Sequence, residues 1–411
     1  MADTKETLLE RTMYEIQENL DKLDRGELNC LPYPFARSRK DFPGIERGCY
    51  YAVTANTKVG KSQFTSYVFI FRPLMELYYG KADFELNIIY FPLEETPERI
   101  MQRFMSWVLY EESGGKVRVS PTQLRSTLDK CPKEAMELLN DDHVKDILKF
   151  FEDHVIFPNE SPNPTGIYNW CKRFAEERGH TYEKTYKTVD DFGNEEVHKT
   201  FDYYVPNNKN AFNIIVLDSI NLIDCERGMS LRESMNKMSE YMCKYLRNRY
   251  YFSPVVIQQQ AFTNDSLDAA KLKKFKPSLG ALGDSKYISR DCDVVIGLYC
   301  PHNFDVESYG RYDITKMRKY AMFAECLVNR NGASGGITSM LFDGAVSHFW
   351  ELPKATDPGM QAVYNYCEQL MLPHTSEELS QLNPFIKKHQ QQQQPVKKDN
   401  VINFINLLFH R

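Results

Sequence analysis

Two kinds of segment alternate along this chain. Short, solidly apolar runs recur at residues 49–53, 87–91, 213–217, 254–257 and 293–298. Apolar side chains on successive residues mean that both faces are buried, so each run predicts a strand inside a parallel sheet. Between them lie segments that read as helices, at 63–70, 97–110, 165–179 and 231–250. Thr96-Pro97-Glu98 carries a start signal, with Thr96 at the N-cap and Pro97 at the first helical position. Residues 116–154 read as charged helix and 155–157 as a short strand. Residues 324–328 and 338–342 read as a closing antiparallel pair. The alternation predicts an α/β fold with a mostly parallel central sheet flanked by helices.

Three stretches break the alternation. Residues 5–25 place Leu8, Leu9, Met13, Ile16, Leu20 and Leu23 on one stripe of a charged helix. A hinge with Pro32, Pro34 and Pro43 follows. The pattern shows the stripe and leaves open whether it packs on its own domain or on a neighbouring subunit. Residues 181–210 read as a β-hairpin insertion turning at Gly193-Asn194. After Pro353, residues 355–383 are weakly helical, 390–394 are all glutamine, and 401–409 form an apolar helix candidate. That candidate docks on a partner or on its own core. The chain is therefore divided into a helix and linker (1–44), a core with the insertion (45–353), and a C-terminal extension (354–411).

Composition narrows the class. The 411 residues are 42% hydrophobic and 26% charged, the balance of a globular protein with a sizeable core. With 51 basic against 56 acidic residues, broad coating by nucleic acid is excluded, and any such contact must be local. The ten cysteines form no C-x-x-C pair, which predicts free thiols in a reducing cytoplasm. No apolar run approaches the roughly 20 residues that span a bilayer, and the first residues lack signal-peptide character. A cytoplasmic location without membrane contact is the expectation.

The candidate chemistry gathers near predicted strand ends, where open α/β sheets build their sites. Ala55-Asn56-Thr57-Lys58-Val59-Gly60-Lys61-Ser62 lies between the first strand and a helix. Such a turn cradles a nucleotide triphosphate: backbone N–H groups face the phosphates, a lysine reaches the β- and γ-phosphates, and a hydroxyl ligates Mg²⁺. Lys61 and Ser62 take those places, while Ala55 stands where the general pattern has glycine. Asp218 ends the third run and is the expected carboxylate on the Mg²⁺ side. Glu94 ends the second and is placed to activate water; Glu95 is adjacent, and spacing alone does not choose between them. Gln260 closes the fourth run, where it can sense the γ-phosphate. Arg330 lies on a predicted loop and is a candidate arginine finger for a neighbouring subunit's ATP. Each has a plainer alternative: a helix cap for the carboxylates, a polar strand end for Gln260, a solvated hairpin for Arg330. Lys271, Lys273, Lys274 and Lys276, followed by a glycine-rich loop, suit contact with a phosphate backbone, although such charge runs are more often solvated faces.

As an ordered set these residues resemble the RecA-like motor domain of DnaB-type replicative helicases. Residues 55–62 are similar to that family's P-loop, which commonly starts with alanine. Phe91-Pro92-Leu93-Glu94 with Pro97, Met101 and Arg103 is similar to its second motif, and this likeness assigns the catalytic glutamate to Glu94. Residues 215–219 resemble its Walker B, and 254–260 its glutamine switch. Leu282-Gly283-Asp284-Ser285-Lys286 resembles its DNA-backbone loop. Arg330-Asn331-Gly332 with Phe342-Asp343-Gly344 resembles its arginine-finger hairpin.

The resemblance spans roughly residues 30–352 and implies a RecA-like P-loop NTPase core that binds ATP and Mg²⁺ and hydrolyses ATP. It further implies a homo-oligomeric hexamer unwinding DNA in replication, with single-stranded DNA held at Lys273, Lys274, Asp284, Ser285 and Lys286. A primase or loader would meet the terminal segments. Departures are Val328 in place of a lysine, Gly283 in place of an arginine, Lys286 in place of a glycine, and no counterpart of the family's N-terminal domain. In the family, the helix corresponding to 5–25 docks on the adjacent subunit. The competing readings are a recombination or repair ATPase forming filaments, and a nucleotide-controlled assembly module without unwinding activity.

Overall fold

The solid apolar runs become the middle of the molecule. In a computed structural model, which describes residues 7–127, 130–189, 195–260, 276–282 and 286–386, they form strands β1 (Tyr51–Ala55), β2 (Glu85–Pro92) and β3 (Val155–Ile156). The insertion supplies β4 (Gly179–Val189) and β5 (Glu195–Pro206). Then come β6 (Ala211–Asp218), β7 (Ser253–Gln259), β8 (Val294–Tyr299), β9 (Ala321–Asn329), β10 (Ile337–Asp343) and β11 (His348–Glu351). Nine of these make one sheet in the order β11-β10-β9-β8-β1-β7-β6-β2-β3. From β8 to β3 neighbours are parallel, and from β8 to β11 antiparallel. The last strand, β11, is too short and too aromatic to show alternation in the sequence.

Helices cover both faces. The helix after β1, α2, runs through Lys61–Ser66, a π-helical stretch at Tyr67–Phe71, and Arg72–Tyr78. With α3 (Pro97–Glu112) and α4 (Asp142–His154) it buries Phe64, Phe71, Phe104, Trp107 and Phe151 against one face. On the other face, α5 (Pro164–Glu176), α6 (Leu231–Glu240) and α7 (Lys286–Asp291) bury Ile167, Met238 and Ile288. Val53, Ile215, Val216 and Ile257, between these layers, are fully buried. Each such side chain contributes about 1.5–3 kcal/mol by leaving water. The charged 116–154 segment breaks into pieces because Pro121 and Pro132 interrupt it. No helix among the described residues is long and apolar enough to cross a membrane.

Three additions sit on this frame. The N-terminal helix, here αN (Leu8–Asp24), is capped by Thr7 and Glu10. It turns its polar side to its own chain. The Arg11 guanidinium lies 3.8 Å from the Tyr203 ring centre, and Lys22 Nζ donates to Asn210 Oδ1 at 2.9 Å. Its apolar stripe faces outward, with Leu8 74% and Leu23 55% exposed. The hairpin β4–β5 is a separate two-stranded sheet, as the sequence predicts, although its turn at 190–194 lies outside the described residues. Its root needs Gly179, where any Cβ would meet the Tyr204 ring and hydroxyl. The extension after Pro353 packs on the core through two helices, Met360–Gln369 and Ser376–Leu382. There the buried Asn383 amide donates to the hydroxyls of Tyr110 (3.1 Å) and Tyr366 (3.2 Å). The apolar 401–409 segment and the glutamine run lie outside the described residues.

Candidate active site

The four parallel strands β1, β7, β6 and β2 all end at the same edge of the sheet, and four of the predicted residues follow from that. At the end of β1 the chain turns through Lys58 (φ 59°) and Gly60 (φ 82°) into α2. Glycine is required at 60, because that backbone disfavours a side chain and a Cβ there would come within 3.1 Å of the Phe342 ring. Lys61 opens α2. Its Nζ donates to the carbonyls of Asn56 (3.0 Å) and Ala55 (3.3 Å). Burial pushes the Lys61 ammonium pKa down, and the Glu94 and Asp218 carboxylates oppose that shift.

Asp218 is 3% exposed at the end of β6. It accepts from the Ser62 hydroxyl at 3.2 Å and from the Tyr90 hydroxyl at 3.0 Å. Burial pushes its carboxyl up to about 6, against the hydrogen bonds from Ser62 and Tyr90, and nearby Glu94 adds to the rise. Tyr90 is a member of the site that periodicity does not reveal. It reads as a core residue of β2, and only the β2–β6 pairing turns its hydroxyl onto Asp218.

The same pairing places Glu94, since the Leu93 and Glu94 N–H groups both donate to the Asp218 carbonyl, at 2.8 and 3.2 Å. The two adjacent glutamates then part company. Glu95 is taken up by an ion pair with Arg103, whereas Glu94 faces the cleft. That cleft, about 530 Å³, is lined by Gly60, Lys61, Ser62, Glu94, Arg99 and Arg125. A second cavity of about 290 Å³ adjoins it across Lys58 and Gly344, lined by Asn303, Lys319 and Phe342. Its wall is braced by Arg118, which donates to both oxygens of the buried Asp343 at 2.7 and 2.8 Å.

The donor set suits Mg²⁺. Ser62 Oγ and Asp218 Oδ1 are hard oxygen ligands 3.2 Å apart beside the cleft. No group of three or more His, Cys, Asp or Glu side chains among the described residues forms a metal cage. Mg²⁺ characteristically uses one or two protein ligands and completes its shell with phosphate oxygens and water.

The remaining predicted residues are placed differently. Gln260 is 4% exposed. Its N–H donates to the Ala55 carbonyl at 3.0 Å, and its Nε2 has no partner among the described residues. Arg330 follows β9, which runs antiparallel to β8, so it lies at the opposite edge of the sheet from Lys61. The length of β1 separates the edges, about 15 Å at ~3.3 Å per residue. There Arg330 donates to the Arg290 carbonyl and lies 3.7 Å from Asp293. Lys273, Lys274, Asp284 and Ser285 lie outside the described residues. Lys286 begins α7, and its side chain is likewise outside them. Lys276, from the predicted basic cluster, is paired with Glu325 at 2.6 Å.

No protein-family model matches the sequence, and no curated protein matches it either. Solved structures do. One, an ATPase domain solved by itself, superimposes with a TM-score of 0.59 at 12% identity, covering 85% of this chain and 100% of that one. A DnaB-like replicative helicase, solved for its interactions with primase, superimposes with a TM-score of 0.58 at 13% identity, covering 86% of this chain and 69% of that one. The fold is that of a DnaB-type, RecA-like P-loop ATPase domain, as the ordered motifs imply.

Proposed function

We propose that this protein is an ATP-hydrolysing motor of the DnaB helicase type, which forms a ring and moves along single-stranded DNA. The observation that carries this reading is the convergence of Lys61, Ser62, Asp218 and Glu94 in one cleft of a RecA-like sheet. The backbone of residues 55–62 and Lys61 hold the triphosphate. Ser62 and Asp218 hold Mg²⁺, which neutralises phosphate charge when bound. Glu94 orients and deprotonates the attacking water, a role open to it because Glu95 is engaged by Arg103. The nucleobase enters the adjoining cavity beside Phe342. Arg330 is offered to the ATP of the next subunit. The outward stripe of αN is the contact between copies, and the terminal segments meet a primase or loader in the cytoplasm.

A second reading of the cation has its own support. Arg99 and Arg125 line the cleft of the same chain, where either can stabilise transition-state charge without a neighbour. ATPase rates with and without single-stranded DNA, beside a strand-displacement assay, test the function. DNA-stimulated hydrolysis with displacement is expected. Hydrolysis indifferent to DNA would leave a nucleotide-controlled assembly module, and filaments in electron micrographs would leave a recombination-type ATPase.

A further inference from the structure

Three loops meet the last residues of β7. The Gln260 N–H donates to the Ala55 carbonyl at 3.0 Å, the Gln259 N–H to Asn221 Oδ1 at 3.0 Å, and Gln258 Nε2 to the Leu282 carbonyl at 3.1 Å. The first acceptor opens the phosphate loop. The second lies on the Ile220–Leu222 turn, just after Asp218. The third ends the Leu279–Leu282 turn, from which the chain passes into α7.

Gln258 is the unusual member. It is 1% exposed, in line with Val255, Val256 and Ile257, which are fully buried aliphatic residues. An aliphatic side chain would fill its place. The amide instead brings an Oε1 atom with no partner among the described residues, and a buried acceptor left dry is destabilising. Packing does not account for a glutamine here, whereas the single bond to Leu282 does.

We propose that Gln258 is a positioning residue that couples the state of the nucleotide cleft to the 279–291 segment. The proposal rests on reading that cleft as the ATP site. β7 is laddered to β1 from Tyr51↔Val255 to Ala55↔Gln259, so it cannot slide independently of the phosphate loop. The segment it would pull is fixed on either side. Before it, Pro277 packs against Gly297 and Lys276 pairs with Glu325. At its end, Asp291 accepts from Ser239 Oγ at 2.7 Å, and Asp293 accepts from the Tyr50 N–H at 2.8 Å. Between these anchors the Gln258 amide reaches in from the strand that borders the phosphate loop. A shift of that loop on binding a triphosphate therefore passes through β7 to the Leu282 carbonyl and reorients α7. This route is separate from Gln260, whose own bond faces the phosphate loop.

Gln258→Met keeps the volume and removes the amide. Hydrogen–deuterium exchange over residues 276–291 is read in the full-length wild type and in Gln258→Met, with and without a non-hydrolysable ATP analogue and Mg²⁺. A fluorescent nucleotide gives the affinity of the same samples. The expected result is a several-fold nucleotide-induced slowing of exchange in the wild type, lost in Gln258→Met, with nucleotide affinity unchanged. A wild-type-sized response in the variant overturns the proposal. So does an affinity that falls together with the response, since Gln258 would then belong to the site and not to the link. Gln258→Leu serves as a second variant if thermal melting shows the first to be destabilised. Failure of the ATP-site reading is distinguishable, because the wild type would then bind no nucleotide at all.

Discussion

At one edge of the central sheet, β1, β2, β6 and β7 end together, and their last residues interlock: Ser62 and Tyr90 on Asp218, Glu94 over the Asp218 carbonyl, Gln260 on Ala55. At the other edge, β9 ends with an arginine whose side chain is 47% exposed and which only rests on Asp293 and Arg290. The first edge is dense and buried, with its carboxylate held far from its ordinary titration. The second is open. Strand direction is the cause. Parallel neighbours deliver their C-terminal ends to one edge, and a single antiparallel strand carries its own end away. If the open-edge arginine acts on ATP, it acts on another copy's cleft.

Substitutions that separate the edges are ordered here by expected effect. Lys61→Ala removes turnover to background, measured as phosphate release. Arg330→Ala lowers kcat by about 10³–10⁵-fold and leaves nucleotide affinity intact. Mixing the two inactive variants is expected to restore part of the activity, since an intact Lys61 cleft then meets an intact Arg330. No recovery on mixing, together with a comparable loss in Arg99→Ala or Arg125→Ala, would undo the contrast and place the cation in the same chain.

Arg118→Ala tests the cleft side of the contrast. The variant leaves Asp343, 1% exposed at its side chain, as an unpaired buried charge. A destabilisation of about 3 kcal/mol in urea melts is expected. The arginine of the open edge has no such burden, and Arg330→Ala should melt within about 0.5 kcal/mol of the wild type.

The smallest effect is the pH dependence of Asp218. Its folded-state pKa is raised from 3.8 to about 6, so the folded protein holds a proton there that the unfolded chain has released. That contribution to stability is full below pH 4 and is lost as pH rises through 6. Asp218→Asn should therefore equal the wild type near pH 4 and exceed it by about 1–2 kcal/mol at pH 8, in melts without nucleotide. Mg²⁺-dependent nucleotide binding by the wild type should run the other way, weakening as pH falls through 6 and the carboxylate protonates.

Several parts of the molecule were legible in the chain itself. The runs at 87–91, 213–217 and 254–257 are apolar on both faces, and that condition is met only inside a layered parallel sheet. Gly60-Lys61-Ser62 after such a run announces a phosphate cradle, and Asp218 and Glu94 declare themselves by ending strands. The hairpin is equally plain from its flanking β-rich segments. These features are local: a stretch of residues states its period, its turn chemistry and its charge without reference to anything distant.

Every relation between such stretches came with the packed fold. Glu94 and Glu95 are chemically equal neighbours until Arg103 folds onto one of them. Tyr90 is a core tyrosine until the β2–β6 register sets it opposite Asp218. Gln258 and Gln260 belong to one polar triplet until the ends of three loops arrive around them. Arg330 follows a strand like the others, and only the antiparallel entry of β9 sends it to the far edge. Periodicity records which face of an element is buried, but strand order and direction are settled by packing between elements that are far apart in the chain. The chemistry of this protein was written in its residues, and its arrangement into a cleft and an opposite, open edge came from how the sheet is ordered.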